Sequence, residues 1–216
     1  MAREKENPFD QAVRAAVNGG CLVYPTETFY ALGAAIENAQ ALKKIYTIKG
    51  RPGSKPLPVI IGDMAQLALV LDENARTWPG FRCAHELMEL FWPGPLSIVM
   101  PAKRTLPPQL SDAQGFVSVR LTPHPVAKKL CLAAKTPLAA TSANISGEAP
   151  VSDLTLLSPA VRQAVDAIFE GEPRPAGGLA STVVQPVANR EIVVHRAGAL
   201  PVETLARMGF RLTCAP

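Results

Sequence analysis

The sequence predicts a single α/β domain with a mixed, twisted, open sheet, and three observations support this prediction. First, short apolar runs that are typical of buried strands alternate with segments of helical periodicity over much of the chain. Second, several strand-like runs follow one another near the C-terminus, which indicates neighbouring strands in one sheet. Third, the 216 residues are 48% hydrophobic, which is enough for a substantial core.

The predicted helices begin at residues that cap a first turn or at proline, which fits that turn. Asn7 and Pro8 begin the first helix, and Gly19 ends it. Asn38 and Asp63 stand where the caps of the next two helices are expected. Further helices are predicted over 39–48, 64–71, 83–91, 125–134, 159–167 and 201–208.

The predicted strands are short runs rich in Val, Ile and Leu with turn residues at their ends. They are predicted at 21–25, 57–61, 96–102, 116–121, 138–141, 167–171, 181–185 and 191–196. Arg120 lies in the middle of one of these runs. Because a buried guanidinium is costly without a counter-charge, we expect Arg120 to have an anionic partner.

Charge and cysteine content restrict the function only weakly. The net charge of +4 attracts polyanions but does not by itself predict nucleic-acid binding. The four cysteines have no metal-binding spacing, so we expect free thiols in a reducing cytosol and no metal site. The first 13 residues contain no apolar signal segment, and no apolar run reaches the ~20 residues of a membrane helix. We therefore expect a cytoplasmic protein without membrane contact.

Polar groups follow or precede several predicted strands, at the positions where ligands bind in open α/β sheets. They are TET at 26–28, KGRPGSK at 49–55 and TSANISG at 141–147, with Arg120 inside a strand. Ordinary explanations exist for each, because Thr and Ser stabilise turns and a cation suits the C-terminal end of the helix at 39–48.

Several common catalytic signatures are absent from the sequence. It contains no GxxxxGK[ST] or GxGxxG loop, no GxSxG elbow and no HExxH helix. No nucleophile–base pair is recognisable either, and the three histidines share no motif with a nucleophile. The remaining cations, hydroxyls and amides are groups that bind and position anions.

Six segments in this order resemble the YrdC-like family, which contains the threonylcarbamoyl-AMP synthases of tRNA modification. The segments are YPTETFYALG, KGRPGSKPL, SVRLTPHP, TSANISG, STVV and HRAG. The resemblance extends from about residue 9 to 200, so we expect one domain over 1–216, in the short form of the family without an additional C-terminal domain.

The resemblance implies an L-threonylcarbamoyladenylate synthase, a nucleotidyltransferase. Such an enzyme joins L-threonine, bicarbonate or CO₂, and ATP into threonylcarbamoyl-AMP and releases pyrophosphate. ATP is then a substrate, with Mg²⁺ held mainly by the nucleotide, and partner proteins transfer the threonylcarbamoyl group to a tRNA adenosine. The implied fold is a twisted α/β sheet with helices around a large, positively charged cavity.

The same resemblance implies the site residues. The catalytic tetrad K-x-R…S-x-N of the family matches Lys49, Arg51, Ser142 and Asn144. The nucleotide-contacting positions are Arg51, Lys55, Ser142 and Arg196. The threonine-contacting positions are Thr28, Arg120, the backbone at Ala140, and Ser181.

Two alternatives stay open, and three departures from the family pattern leave room for the first of them. Ile60 stands where some members carry a threonine-contacting histidine, Ala31 where glycine occurs, and Gln185 where aspartate is common. One alternative is a YciO-like paralogue that uses the same cavity for another small substrate. The other is a binding module for double-stranded RNA or tRNA that uses the basic concavity.

Overall fold

The computed structural model describes residues 7–188 and 190–214. Residues 1–6 lie outside these ranges. The expectation that the N-terminal segment contains no signal sequence depends partly on them. The helices are α1 (Pro8–Val17), α2 (Ala39–Lys49), α3 (Phe81–Phe91), α4 (Pro125–Ala133), α5 (Pro159–Ala164) and α6 (Val202–Arg207). The strands are β1 (Leu22–Pro25), β2 (Tyr30–Gly33), β3 (Val59–Ile61), β4 (Leu96–Pro101), β5 (Phe116–Leu121), β6 (Leu138–Ala139), β7 (Thr141–Ser142), β8 (Ala167–Ile168), β9 (Thr182–Ala188), β10 (Glu191–Arg196) and β11 (Arg211–Cys214).

The strands form two mixed sheets, with the orders β7-β2-β1-β8 and β11-β10-β9-β4-β5-β3-β6. In the smaller sheet β1 is antiparallel to β2 and parallel to β8. In the larger sheet β4 is antiparallel to β5 and parallel to β9. The predicted α/β class with mixed pairing is confirmed, and the strands are divided between two sheets.

The helix caps follow the sequence prediction closely. The side chains of Asn7 and Asn38 accept hydrogen bonds from the amides of Phe9 and Ala41, both at 2.9 Å. Asp63 also caps the next segment, but this segment is a 3₁₀-helix over Met64–Leu69 and not the predicted α-helix. These caps satisfy amides that a first turn leaves without partners.

The strand at 138–141 was predicted as one element, and this prediction is wrong. Residues Leu138–Ala139 pair with β3 in the larger sheet, whereas Thr141–Ser142 pair with β2 in the smaller one. Ala140 therefore lies where the chain passes from one sheet to the other. A four-residue apolar run contains no signal that distinguishes one strand from two.

Two strands were not predicted, and one of them changes the local interpretation of the site. The strand β2 pairs antiparallel with β1, and Pro25 lies opposite Tyr30. The TET segment is thus the turn of a β-hairpin. The C-terminal strand β11, which pairs in parallel with β10, was missed as well. The helix predicted over 159–167 ends at Ala164, because β8 begins shortly after it.

Strand β1 is buried on both faces, which explains its continuous apolar sequence. Val23 contributes to the larger hydrophobic cluster. Leu22 and Tyr24, on the opposite face, belong to a smaller cluster with residues of α1 and α4. The alternation follows from the two-residue period of a strand. None of the helices in the described ranges combines the length and the apolar character of a membrane span.

Candidate active site

A cleft of about 180 Å³ is lined by residues from both sheets. Seven of the ten predicted site residues line it: Thr28, Arg51, Arg120, Ala140, Ser142, Ser181 and Arg196. The junction at Ala140 contributes to the wall, where its amide donates to the carbonyl of Pro58 at 2.8 Å. The fold therefore brings together groups that are far apart along the chain.

Three of these residues are arginines, and they influence one another electrostatically. Burial lowers the pKa of Arg120 to about 10, and the charge of Arg196 contributes to this decrease. Burial also lowers the pKa of Arg196, with a further contribution from Arg51. Because like charges disfavour one another at short range, an anion in the cleft would relieve this repulsion.

Arg196 is held against the segment that carries Ser181, directly before β9. Its Nε and Nη2 atoms donate to the Ser181 carbonyl oxygen at 2.9 and 2.8 Å, and Nη2 also donates to Ser181 Oγ at 3.1 Å. The HRAG segment needs its glycine for the same packing. A Cβ atom at Gly198 would lie 2.2 Å from the Ala180 carbonyl oxygen and 2.7 Å from the carbonyl carbon of Ser181.

The three cations of KGRPGSK lie in three different environments. Arg51 lines the cleft, and its side chain donates to the carbonyls of Lys55 and Pro56, both at 2.9 Å. Lys49 is buried and is the last residue of α2, which Gly50 ends in a left-handed conformation with φ 56°. Lys55 is exposed and lies outside the cleft lining.

Lys49 and Asn144 lie behind the cleft and hold the loop that carries Ser142. Lys49 Nζ donates to the carbonyls of Ser142 and Asn144 at 2.5 and 2.6 Å, and to Asn144 Oδ1 at 3.3 Å. Asn144 Nδ2 donates to the carbonyls of Ile145 and Glu148 at 3.0 and 2.6 Å. Burial, with the nearby charge of Arg51, lowers the pKa of Lys49 to about 8. The ammonium group thus positions the loop from within the protein.

The anionic partner expected for Arg120 is Glu27, in the turn between β1 and β2. Arg120 is 7% exposed, and the two residues form an ion pair at the base of the cleft. The Glu27 carbonyl accepts from Ala176 N at 3.1 Å, and the Thr28 carbonyl accepts from Gly177 N at 2.7 Å. The turn is therefore tied to the loop that leads to Ser181. Glu27 was not predicted as the partner, because a TET segment does not show which strand it will face.

The lining also contains residues that the sequence analysis did not assign to the site. Ser97, on β4, is 3% exposed, and its Oγ lies 3.0 Å from Ser181 Oγ. The available signal was a hydroxyl in an apolar strand, the same kind of signal that identified Arg120. The family departures Ala31 and Ile60 line the cleft as well. Gln185 instead contacts His195 through Oε1 and Nε2 at 2.9 Å.

The described part of the chain contains no side-chain cluster suited to a metal ion, and no described histidine lines the cleft. Within residues 7–188 and 190–214, no cluster of three or more His, Cys, Asp or Glu side chains is placed to hold a metal ion. His124 is buried outside the cleft lining, and its Nε2 lies 2.8 Å from the Pro173 carbonyl. Of the described residues that line the cleft, none is a carboxylate.

Comparison with known proteins identifies the family. The model of the Sua5/YciO/YrdC family, which carries the description "Telomere recombination", matches residues 14–198. The chain therefore belongs to this family, and the resemblance noted in the sequence is confirmed.

Relatives and solved structures agree with this assignment. A protein of Bacillus subtilis (strain 168) named Threonylcarbamoyl-AMP synthase is 35% identical over 85% of this chain and 51% of its own length. P. abyssi Sua5 complexed with L-threonine is similar with a TM-score of 0.82 and 31% identity, over 98% of this chain and 61% of that chain. E. coli YciO is similar with a TM-score of 0.76 and 26% identity, over 91% of this chain and 92% of that chain. The chain spans about half the length of the first curated relatives that it matches.

Proposed function

We propose that this chain is an L-threonylcarbamoyladenylate synthase, which forms threonylcarbamoyl-AMP and pyrophosphate from L-threonine, bicarbonate or CO₂, and ATP. The observation that carries the proposal is the convergence of Arg51, Arg120 and Arg196 in one cleft with hydroxyl side chains between them. Relatives named Threonylcarbamoyl-AMP synthase and a similar structure complexed with L-threonine support it.

In this proposal the two ends of the cleft bind different substrates. Threonine binds at the end formed by Thr28, Arg120, Ala140 and Ser181. The nucleotide binds along Arg51, Ser142 and Arg196, and the exposed Lys55 reaches the phosphates from the loop. Because guanidinium groups form bidentate hydrogen bonds with carboxylate and phosphate oxygens, each arginine suits its proposed ligand.

The chemistry requires no nucleophile from the protein. The amine of threonine attacks CO₂ and loses one proton to solvent, which gives an anionic carbamate. An oxygen of the carbamate then attacks the α-phosphorus of ATP while pyrophosphate leaves. This step brings two anions together, and fixed positive charges in a partly dehydrated cleft lower its barrier. The Lys49–Asn144 pair contributes by holding Ser142 in place. Since no carboxylate is among the described lining residues, Mg²⁺ would take its ligands from the phosphates.

The direct test measures pyrophosphate release from ATP by the purified chain. We expect release only when threonine and bicarbonate are both present, and release that does not depend on threonine would refute the proposal. We also expect Arg51→Ala to weaken ATP binding by about 1.5–3 kcal/mol, the range for hydrogen bonds to charged groups. Isothermal titration calorimetry with ATP checks this value. An unchanged affinity would remove Arg51 from the nucleotide site.

A second candidate is a YciO-like enzyme that acts on another small substrate. The apolar Ile60 in the cleft lining and the similarity to E. coli YciO favour it. ATP binding that threonine does not enhance would support this candidate over the synthase.

A role in tRNA modification places the protein in the cytoplasm beside partner proteins that use the adenylate. We also propose that the protein contacts tRNA directly. Such contact predicts tRNA binding that weakens steeply as the salt concentration increases.

A further inference from the structure

Ser97 and Ser181 form a hydroxyl pair in the wall of the cleft. Ser97 lies on β4 between Leu96 and Ile98, both of which are fully buried. A hydroxyl in such surroundings is costly unless it is hydrogen-bonded, and Ser97 Oγ lies 3.0 Å from Ser181 Oγ. The parallel pairing of β4 with β9, in which Ser97 is opposite Val183, fixes this separation.

The hydrogen-bond capacity of Ser181 allows two arrangements of the pair. A serine hydroxyl has one donor and two acceptor sites. Arg196 Nη2 already occupies one acceptor site of Ser181 Oγ, at 3.1 Å. If Ser97 donates to Ser181, the Ser181 hydroxyl is free to donate to a ligand. If Ser181 donates to Ser97, its second acceptor site is free to accept from a ligand.

The proposed synthase reaction needs both arrangements in turn. Before CO₂ is added, the nitrogen of threonine presents N–H donors, and its lone pair is reserved for the attack on CO₂. Afterwards the same end of the molecule is a carbamate, which presents anionic acceptor oxygens. A single fixed donor or acceptor in the cleft would therefore suit one state and oppose the other.

We propose that Ser97 is a positioning residue that lets Ser181 reverse its hydrogen bond, accepting from the amine and then donating to the carbamate. The inference rests on the proposed function and deepens it by assigning a role to a residue next to the threonine end. Both hydroxyls line the cleft, so a reversal leaves neither proton directed into the apolar interior. The bonds from Arg196 to Ser181 stay unchanged in both arrangements.

The two arrangements depend on Ser97 to different degrees, which makes the proposal testable. With amine bound, the Ser181 proton needs Ser97 as its acceptor. With carbamate bound, Ser181 donates to the ligand, and Ser97 contributes little. Ser97→Ala should therefore weaken threonine binding about tenfold, the upper end for one neutral hydrogen bond, and leave kcat within about threefold.

The experiment compares Ser97→Ala and Ser97→Thr with wild type in threonine-dependent pyrophosphate release, measuring KM for threonine, KM for ATP and kcat. We expect a raised KM for threonine alone in Ser97→Ala, and recovery in Ser97→Thr, which retains the hydroxyl. Ser118→Ala is the matched control, because Ser118 Oγ is also buried, lies on the neighbouring strand β5 and has no hydrogen-bond partner among the described residues. We expect it to leave all three constants unchanged.

The possible outcomes separate the inference from the proposed function. Unchanged constants in Ser97→Ala, or a loss of kcat with an unchanged KM for threonine, would overturn the role of Ser97 while the synthase activity stands. A wild-type chain without threonine-dependent release would overturn both. If Ser97→Ala does not fold in thermal melts, Ser97→Cys carries the same expectation, because a thiol is a weak donor and acceptor.

Discussion

The buried ammonium of Lys49 predicts a specific dependence of stability on pH. Burial, together with the like charge of Arg51 and against the opposite charge of Glu148, lowers the pKa of Lys49 from 10.5 to about 8. Between these pH values the unfolded chain binds a proton at Lys49 that the folded chain has released. Stability therefore rises with pH through this window. A difference of one pKa unit corresponds to about 1.4 kcal/mol, so the limiting gain is about 3 kcal/mol, and most of it is reached by pH 10.

Comparison with Lys49→Met isolates this contribution. At any single pH the substitution has two opposed effects. It removes the donors of the Ser142 and Asn144 carbonyls, at about 1–3 kcal/mol for each buried acceptor left unsatisfied, but it also removes the cost of a buried charge. The free energy of unfolding of wild type minus that of Lys49→Met changes with pH only through the titration of Lys49. The other groups that titrate in this range are common to both proteins.

Urea denaturation of both proteins at pH 7, 8, 9 and 10 provides the measurement. We expect the free energy of unfolding of wild type, minus that of Lys49→Met, to increase by about 2–3 kcal/mol from pH 7 to 10. Lys128→Met, on the exposed side of α4, controls for the change in net charge. Parallel curves for wild type and Lys49→Met would refute the lowered pKa and the buried position from which it follows.

Two further substitutions, each with a control, test an ion pair and a close backbone contact beside the cleft. Glu27→Ala leaves the buried Arg120 without its counter-charge, so we expect a loss of about 3–5 kcal/mol in urea denaturation. Glu191→Ala, which removes an exposed ion pair, should cost no more than about 1 kcal/mol, and equal losses would contradict a buried pair at Arg120. Gly198→Ala forces a Cβ against the backbone of Ala180 and Ser181, directly before β9, so we expect about 1–3 kcal/mol of destabilisation and weaker threonine binding. At Gly53 no described residue other than the chain neighbours lies within 4 Å of an added Cβ, so Gly53→Ala should change stability by less than about 1 kcal/mol. Similar effects of both substitutions would contradict this packing.

The helices were predictable because their signals are local. Asn7 and Asn38 cap the helices that follow them through contacts two or three residues along the chain. The segment after Asp63 deviated because Gln66 turns inward, where it accepts from Gly62 N at 2.8 Å and donates to the Cys131 carbonyl at 2.9 Å. The residues near positions 66 and 131 give no indication of this contact, because the two positions are far apart along the chain.

Candidate site residues could be predicted where a single residue departs from the apolar pattern of its strand. Arg120 was identified because a cation interrupts an apolar strand, and the structure places it in the cleft. The basic segment KGRPGSK was identified as a unit, but only Arg51 among its cations lines the cleft. Lys49 lies one turn after Ile45 on the buried face of α2, and the carbonyls that its Nζ reaches belong to Ser142 and Asn144, which are far from it along the chain.

The sequence by itself determined the class of the fold, most element positions, the family and seven of the residues that line the cleft. It did so because caps, apolar periods and ordered motifs each depend on residues that are close together along the chain. Only the tertiary structure decided which of those groups meet. The division of the strands into two sheets, the pairing of Glu27 with Arg120 and the contact of Ser97 with Ser181 each join segments that are distant along the chain. Such contacts depend on the packing of the whole domain, in which long-range burial outweighs local preference.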